Sequence, residues 1–490
     1  MTRSTAPPVT GTVVPVPVSQ VAGSGSFVLG PASAIAATGL AVPVAEYLVE
    51  ALRPVTGSPL PIGDSGDIVL AIEAGHPPEG YALRVAADGI RITADAGAGL
   101  FWGVQTLRQL VPPATSAPIP ATTIEDHPRF AYRGAMLDVA RHFFGVDDVK
   151  RYIDELALLK LNVLHLHLSD DQGWRLQIDE WPRLTEHGGS TQVGGGGGGF
   201  YTKDDYRAIV AHAASRFVTV VPEIDMPGHT NAALASYPDL SCDGTAPALY
   251  EGIEVGFSSL CIGKERSYEF VEDVVTELVE LTPGPWIHIG GDESLATPEA
   301  DFLRFVERAS AIVAAQGKIA IGWHEMGRST NLPAGTIGEY WSFTTPRDDA
   351  AAVSQSFIDG GGKLIMAPAD VAYLDMKYDE SSPLGLVWAN GPTSVKESYL
   401  WDPADILPGV GDESILGVEA PLWTETIATL DEVEFMAFPR LAAIAEIAWS
   451  PRVEKNFEEF AGRLAAFGER LDTLGIRCFR APEVPWYPRV

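Results

Sequence analysis

The stretch Trp286-Ile287-His288-Ile289-Gly290-Gly291-Asp292-Glu293 decides how the rest of the chain is read, because an apolar run of strand length ends there in two adjacent carboxylates. Side chains alternate along a strand, so Asp292 and Glu293 leave the backbone in different directions and are able to do different jobs. Gly290 and Gly291 leave room beside them for a ligand or a tight turn. Acidic residues at the end of a strand are where a parallel-barrel enzyme keeps its chemistry. The plainer alternative is a strand followed by an acidic helix cap, with Asp-Glu accepting free backbone N–H groups.

Working outward, short apolar runs alternate with helical stretches from about residue 129 onward, the rhythm of βα units. The runs predict eight strands: Gly134 to Ala140, Val163 to Ser169, Thr219 to Met226, Trp286 to Glu293, Ile319 to Glu325, Thr336 to Ser342, Lys363 to Ala369 and Ile415 to Trp423. Helices are predicted between them, for example at Val146 to Lys160, Asp204 to Ser215 and Tyr268 to Leu281. The fold class is therefore α/β, a (β/α)8 TIM barrel preceded by a smaller α+β domain. The division is 1–125 for the N-terminal domain and 126–490 for the barrel with a C-terminal tail. In the first part, strands are predicted at Asp67 to Glu73, Tyr81 to Ala86 and Gly89 to Ala94, with helices at Leu40 to Leu52 and Gly99 to Leu110. The Pro-rich segment Val111 to Pro128 marks the boundary. Gly194 to Gly199 is an unbroken glycine run, read as a mobile loop; it lacks the Lys-Ser/Thr of a phosphate-binding loop.

The 490 residues carry 65 acidic and 34 basic side chains, a formal net charge of −31, which argues against nucleic acid or an anionic membrane as partner. No apolar run approaches the ~20 residues of a membrane helix. The N-terminus, MTRSTAPPVTGTVVPVPVSQ, is broken by prolines and lacks the core of a secretory signal. The expected location is cytoplasmic, or secreted if a leader has been removed. Three cysteines are too few for a disulfide scaffold and poorly suited to a metal-thiolate site.

The other strand ends are chemically loaded. The second reads His165-Leu166-His167-Leu168-Ser169-Asp170-Asp171-Gln172-Gly173-Trp174-Arg175. Two histidines on one strand face would suit metal ligation, but that needs further His and Asp ligands at later strand ends, and no HExxH pattern occurs. A satisfied core role for His165 and His167 is the expectation. The third strand runs into Pro222-Glu223-Ile224-Asp225-Met226-Pro227-Gly228-His229, where a histidine just past a strand end is placed to orient a carboxylate. Later ends bring Trp323, Trp341, Tyr373 with Asp375, and Trp423 with Glu425, while Arg141 stands at the first. Aromatic faces pack on the C–H faces of sugars while carboxylates and Arg grip their hydroxyls, so the set describes a carbohydrate pocket.

These strings, in order and spacing from about Gly99 to Trp449, resemble glycoside hydrolase family 20, and most strongly its bacterial exo-acting β-N-acetylhexosaminidases. The HxGGDE string is the family's active-site signature. The resemblance implies an exo-acting retaining enzyme that removes terminal N-acetylglucosamine or N-acetylgalactosamine from oligosaccharides or glycoconjugates. The reaction would be substrate-assisted, through an oxazolinium intermediate, as an exception to the usual two-carboxylate scheme. It implies Glu293 as acid and base, and Asp292 as the group that orients the acetamido and balances its charge. Tyr373 would hold the acetamido oxygen, with Asp170 and His229 in a relay to Glu293. Trp323, Trp341 and Trp423 would wall the acetamido pocket, and Arg141, Asp375 and Glu425 would bind ring hydroxyls. No metal or organic cofactor is implied, and nothing fixes the oligomeric state. Many family members carry a disulfide in the region of Cys242 and Cys261, so a bridge is permitted; two reduced thiols is the equal alternative. Two other functions stay open: a lacto-N-biosidase releasing a disaccharide from a wider pocket, and a non-catalytic sugar-binding protein, against which the intact Asp292-Glu293 pair argues.

Overall fold

All eight predicted barrel strands form, and each lies within or close to its predicted run. In a computed structural model that describes residues 12–57, 59–112 and 117–488, they are Tyr132–Asp138, Val163–His167, Thr219–Glu223, Trp286–His288, Ile319–Trp323, Ile337–Tyr340, Leu364–Met366 and Ile415–Leu422, parallel and closed into a barrel. A parallel strand covered on both faces must be apolar at nearly every position, which is why these runs stood out; Tyr132–Asp138 is buried throughout. The strand Trp286–His288 stops short of Asp292 and Glu293, whereas Glu223 and Trp323 are the last residues of their strands and Trp341 and Trp423 directly follow theirs. The chemistry therefore sits at the strand ends and on the loops just beyond them. The predicted helices form as Val146–Leu158, Lys203–Ser215 and Glu265–Leu281. Thr202 caps the second of these, its side chain accepting the Asp205 N–H while Asp205 reaches back to the Thr202 N–H.

The barrel interior is layered. Toward the N-terminal ends, Tyr132, Val163, Val221, Ile321, Ile337 and Ile365 form an apolar plug, with Trp286 and Leu416 packed against it, so every strand contributes one residue. Above it lies a polar layer of His165, Glu223, His288, Glu339 and Glu419, all buried. Above that, Met136, Trp323, Tyr373, Met376 and Trp423 join an apolar cluster at the C-terminal ends, with Trp341 packed on it.

By packing, the barrel unit comprises Phe130–Leu156 and Leu161–Ala437, while a second unit gathers Met1–Arg129, Ala157–Lys160 and Phe438–Val490. The C-terminal segment, assigned with the barrel from chain order, thus packs with the N-terminal residues. The second unit holds a seven-stranded mixed sheet. Its strands Tyr81–Ala86 and Gly89–Ala94, and its helices Val42–Thr56 and Gly97–Leu110, agree with the sequence reading. Four strands were not expected: the two-residue strands Ile35–Ala36 and Ile62–Gly63, and two longer ones. Ser19–Phe27 has no apolar face to announce it, eight of its nine residues being exposed. Ile119–Asp126 lies inside the segment read as a Pro-rich boundary, yet it alternates enough to pair with both Ser19–Phe27 and Tyr81–Ala86. Residues 113–116 of that boundary, and residues 1–11 of the stretch examined for a leader, lie outside the described residues.

A buried polar node organises this unit. Lys160 Nζ donates to Asp126 Oδ2 at 2.8 Å and to Tyr81 Oη at 2.9 Å, and lies 4.4 Å from the centre of a Trp449 ring whose indole N–H also reaches Asp126. Lys160→Met is expected to destabilise the protein by about 3–5 kcal/mol, because it leaves a buried carboxylate without its cation. Tyr81→Phe, which removes a neutral donor, should cost only about 1 kcal/mol. Urea unfolding of both variants checks the ranking; equal losses would show that the charge is not what matters.

Among the described residues, no helix is long and apolar enough to cross a membrane. The glycine run read as a mobile loop is exposed over residues 194–197 and tied at its ends, where Val193 and Gly194 donate to the carbonyls of Arg141 and Glu251, and Gly199 to that of Gly189. A Cβ on Gly199 would stand 2.1 Å from the Phe143 ring, so close approach accounts for glycine there.

Candidate active site

The fourth strand ends at His288, and the chain must turn sharply to deliver both carboxylates to the barrel mouth. Gly290 makes the turn at φ +69°, where a Cβ would fall 1.7 Å from Asp225 Oδ1. Gly291 follows at φ +97° and donates its N–H to that same oxygen at 3.1 Å. Glu293 is then held at φ 41° and His229 at φ 54°, both in the left-handed region that side-chain-bearing residues avoid. Such strain persists only where the surroundings enforce it, and it clusters at functional sites.

The carboxylates converge on one imidazole. His229 Nε2 lies 3.6 Å from Asp292 Oδ2 and 3.7 Å from Glu293 Oε2. Its Nδ1 faces Asp170 Oδ1 at 3.1 Å. Asp170 in turn pairs with Arg141 Nη1 at 2.9 Å and with His167 Nε2 at 2.8 Å. Burial alone would raise the Asp170 carboxyl, but Arg141 and His229 hold it well below the usual carboxylate range. Burial likewise opposes charge on His229, yet Asp170, Asp225 and Asp292 raise it well above an ordinary histidine. The surroundings of His229 thus favour its charged form, with Nδ1 against Asp170 and Nε2 facing the acidic pair beyond hydrogen-bond distance. Asp292 is pushed up to about 7, first by burial and then by Glu325 and Glu293, with His229 opposing.

A cavity of about 290 Å³ opens beside this group, lined by Arg141, Ile253, Val255, Asp292, Glu293, Trp323, Trp341, Tyr373, Trp388 and Trp423. The aromatic walls are fixed from behind. Trp323 Nε1–H donates to Glu223 Oε1 at 2.9 Å, and Trp341 Nε1–H to Glu325 Oε2 at 2.8 Å. The Arg141 guanidinium stacks 4.9 Å from the centre of a Trp423 ring. Glu223 is the hub, also meeting His167 Nδ1 at 2.5 Å, His288 Nδ1 at 3.0 Å and His165 Nε2 at 3.1 Å. The nitrogens of His165 and His167 are therefore engaged with neighbouring carboxylates, the core role expected of them; His165 Nδ1 meets Glu419 Oε1 at 2.7 Å.

Of the residues singled out from sequence, Arg141, Asp292, Glu293, Trp323, Trp341, Tyr373 and Trp423 line the cavity, and Asp170 and His229 stand directly behind it. Asp375 is buried and does not line it, while Glu425 faces Arg141 with one oxygen buried and unpartnered. Sequence reasoning missed Glu223, Glu325, Trp388, Ile253 and Val255. A carboxylate at the end of the otherwise apolar strand Thr219–Glu223 was a legible signal; Ile253, Val255 and Trp388 lie on loops and carried none. Cys242 and Cys261 are bonded to each other, which resolves the alternative left open, and Cys478, which is in no disulfide, is buried.

Residues 130–300 and 294–452 match the glycosyl hydrolase family 20 catalytic domain, and residues 10–127 match glycosyl hydrolase family 20, domain 2. The chain belongs to glycosyl hydrolase family 20. It is a glycoside hydrolase of the β-N-acetylhexosaminidase class. A β-N-acetylhexosaminidase of Cellulomonas fimi is 44% identical over 410 residues, covering 83% of this chain and 82% of the relative. The N-acetyl-β-hexosaminidase of Streptomyces plicatus, solved in complex with Thio-NAglucal, superposes with a TM-score of 0.95 at 50% identity, covering 98% of both chains. A mutant of the Streptomyces plicatus β-hexosaminidase, solved in complex with product GlcNAc, matches with the same TM-score, 0.95, over 97% of this chain and 98% of its own.

Proposed function

We propose that this family 20 enzyme is exo-acting and retaining, and that it removes terminal N-acetylglucosamine or N-acetylgalactosamine using the substrate's own acetamido oxygen as nucleophile. The observation that carries the reading is the placement of the acidic pair. One oxygen each of Asp292 and Glu293, with a nitrogen of His229, lie within 4.8 Å of one another, all facing a single imidazole edge. An inverting pair stands ~6.5–9.5 Å apart to admit a water, and a protein nucleophile must face the acid across the anomeric carbon. Two carboxylates that adjoin in sequence and face the same imidazole suit a different division of labour.

Glu293 protonates the glycosidic oxygen as its bond to the anomeric carbon breaks, and the acetamido oxygen closes on that carbon. The resulting oxazolinium carries positive charge on nitrogen, which Asp292 balances by accepting the N–H, while the Tyr373 hydroxyl donates to the former carbonyl oxygen. Glu293 then takes a proton from the water that reopens the ring at the same face. Trp323, Trp341 and Trp423 pack around the acetamido group, and Arg141, the cation at the cavity wall, takes a ring hydroxyl. The relatives named as hexosaminidases, and the Streptomyces complex with GlcNAc, support this substrate class. Proton NMR of the first product formed from an aryl N-acetyl-β-glucosaminide tests the stereochemistry. The β-anomer is expected to appear first; initial release of the α-anomer would refute retention.

A pH prediction follows from Asp292. The reaction needs its carboxylate, and burial pushes its pKa up to about 7 in the free enzyme. As pH falls through that region the carboxyl takes a proton, so kcat/KM should fall. Bound substrate offers the acetamido N–H to the carboxylate and lowers that pKa, so kcat should fall only at lower pH. Coincident acid limbs in the two profiles would contradict this.

A further inference from the structure

The strained backbone at His229 is held from its C-terminal side by two groups that touch no reacting atom. His229 sits at φ 54°, and the next two peptide N–H groups, of Thr230 and Asn231, are both captured by side chains. Thr230 N–H donates to Ser258 Oγ at 2.9 Å, and Asn231 N–H donates to Asp171 Oδ1 at 2.9 Å. The two acceptors are themselves joined, Ser258 Oγ–H donating to Asp171 Oδ1 at 2.6 Å. Asp171 and Ser258 are 1% and 4% exposed, so the clamp is shielded from water. Asp171 also directly follows Asp170, which faces the other nitrogen of the same imidazole.

Ser258 belongs to the loop closed by the Cys242–Cys261 bond, 19 residues apart in sequence. The same loop supplies Ile253 and Val255 to the cavity wall. It is tied down by Leu260 N–H to the Pro227 carbonyl, by Asn231 Nδ2–H to the Ala248 carbonyl and by Gln172 Nε2–H to the Gly252 carbonyl. Ser258 lies three residues from Cys261, so the covalent closure bears most directly on the residue that reaches the His229 turn.

We propose that Asp171 and Ser258 form a positioning pair that holds His229 in its left-handed conformation, and that the Cys242–Cys261 bond supports turnover through Ser258. The inference rests on the reading of Asp170 and His229 as a relay to Glu293. A hydroxyl and a carboxylate that only stabilised the loop would affect unfolding and the cavity wall. A pair that acts through His229 must affect kcat, and only while His229 is present.

The test is a double-mutant cycle on kcat and KM with a natural N-acetylglucosamine disaccharide, with thermal unfolding recorded for each variant. Ser258→Ala is expected to lower kcat about 10- to 100-fold, the scale of a small misplacement of a catalytic group. Ser258→Thr, which keeps the hydroxyl, should restore most of it. Asp171→Ala should fall with Ser258→Ala, whereas Asp171→Asn keeps an oxygen able to accept both protons and should stay within a few-fold of wild type. In a His229→Ala background, Ser258→Ala should cost nothing further, because coupled groups are not additive. A full additional loss in that background, or unchanged kcat in folded Ser258→Ala, would overturn the pair. The Cys242→Ser/Cys261→Ser variant should lose kcat in the same His229-dependent way; a lower melting temperature with kcat intact would overturn the role of the bond. Unchanged kcat in His229→Ala alone would instead refute the relay, and this proposal with it.

Discussion

Glu293→Gln is expected to lower turnover of a natural disaccharide by ~10²- to 10⁴-fold, the usual contribution of a general acid-base group. The amide keeps the shape of the side chain, which lines the cavity, so binding should survive. The loss should depend on the leaving group. A natural sugar alkoxide must be protonated as it departs, whereas an activated aryloxide hardly needs to be. The variant should therefore retain a larger fraction of wild-type activity on an activated aryl glycoside. The ratio of the two losses is the quantity to measure, and equal losses would remove Glu293 from the acid role.

Asp292→Asn is expected to lower kcat by ~10²- to 10³-fold, comparable to deleting one preorganised electrostatic contact to a developing charge. The amide cannot balance positive charge on the acetamido nitrogen. Unlike the Glu293 variant, the loss should be similar for disaccharide and activated aryl substrates, because ring closure precedes or accompanies departure in both. The replacement also removes a group whose charged form His229 favours and burial opposes. A thiazoline analogue of the cyclic intermediate should lose affinity for Asp292→Asn in proportion to the loss in kcat, and unchanged affinity would separate Asp292 from the intermediate.

The barrel was legible in the sequence because parallel strands buried on both faces cannot hide. Runs such as Val163–His167 and Trp286–His288 stay apolar whatever the chain around them does, apart from inward-facing polar residues. Ser19–Phe27 was invisible for the opposite reason, since an exposed edge strand carries no hydrophobic period. The C-terminal segment Phe438–Val490 was assigned by chain order, whereas packing groups it with the N-terminal residues. Within the site, Arg141, Asp292, Glu293 and the tryptophans at strand ends were readable, because barrel topology brings those positions together without further information. Trp388 and the loop carrying Ile253 and Val255 were not. Their place at the cavity depends on how long loops fold back, and in the second case on a disulfide that the sequence left open. Glu223 was quoted as part of a motif yet passed over, because its importance lies in four simultaneous contacts that only the three-dimensional structure reveals.

The central claim, that the substrate supplies the nucleophile, is tested most directly by comparing kcat/KM for an aryl N-acetyl-β-glucosaminide and the aryl β-glucoside with the same leaving group. Replacing the acetamido group by hydroxyl removes both the pocket contacts and a held nucleophile whose effective molarity can reach ~10⁵ M or more. The account predicts a fall of about five orders of magnitude or more. Cleavage of the glucoside at a rate comparable to that of the N-acetylglucosaminide would contradict it.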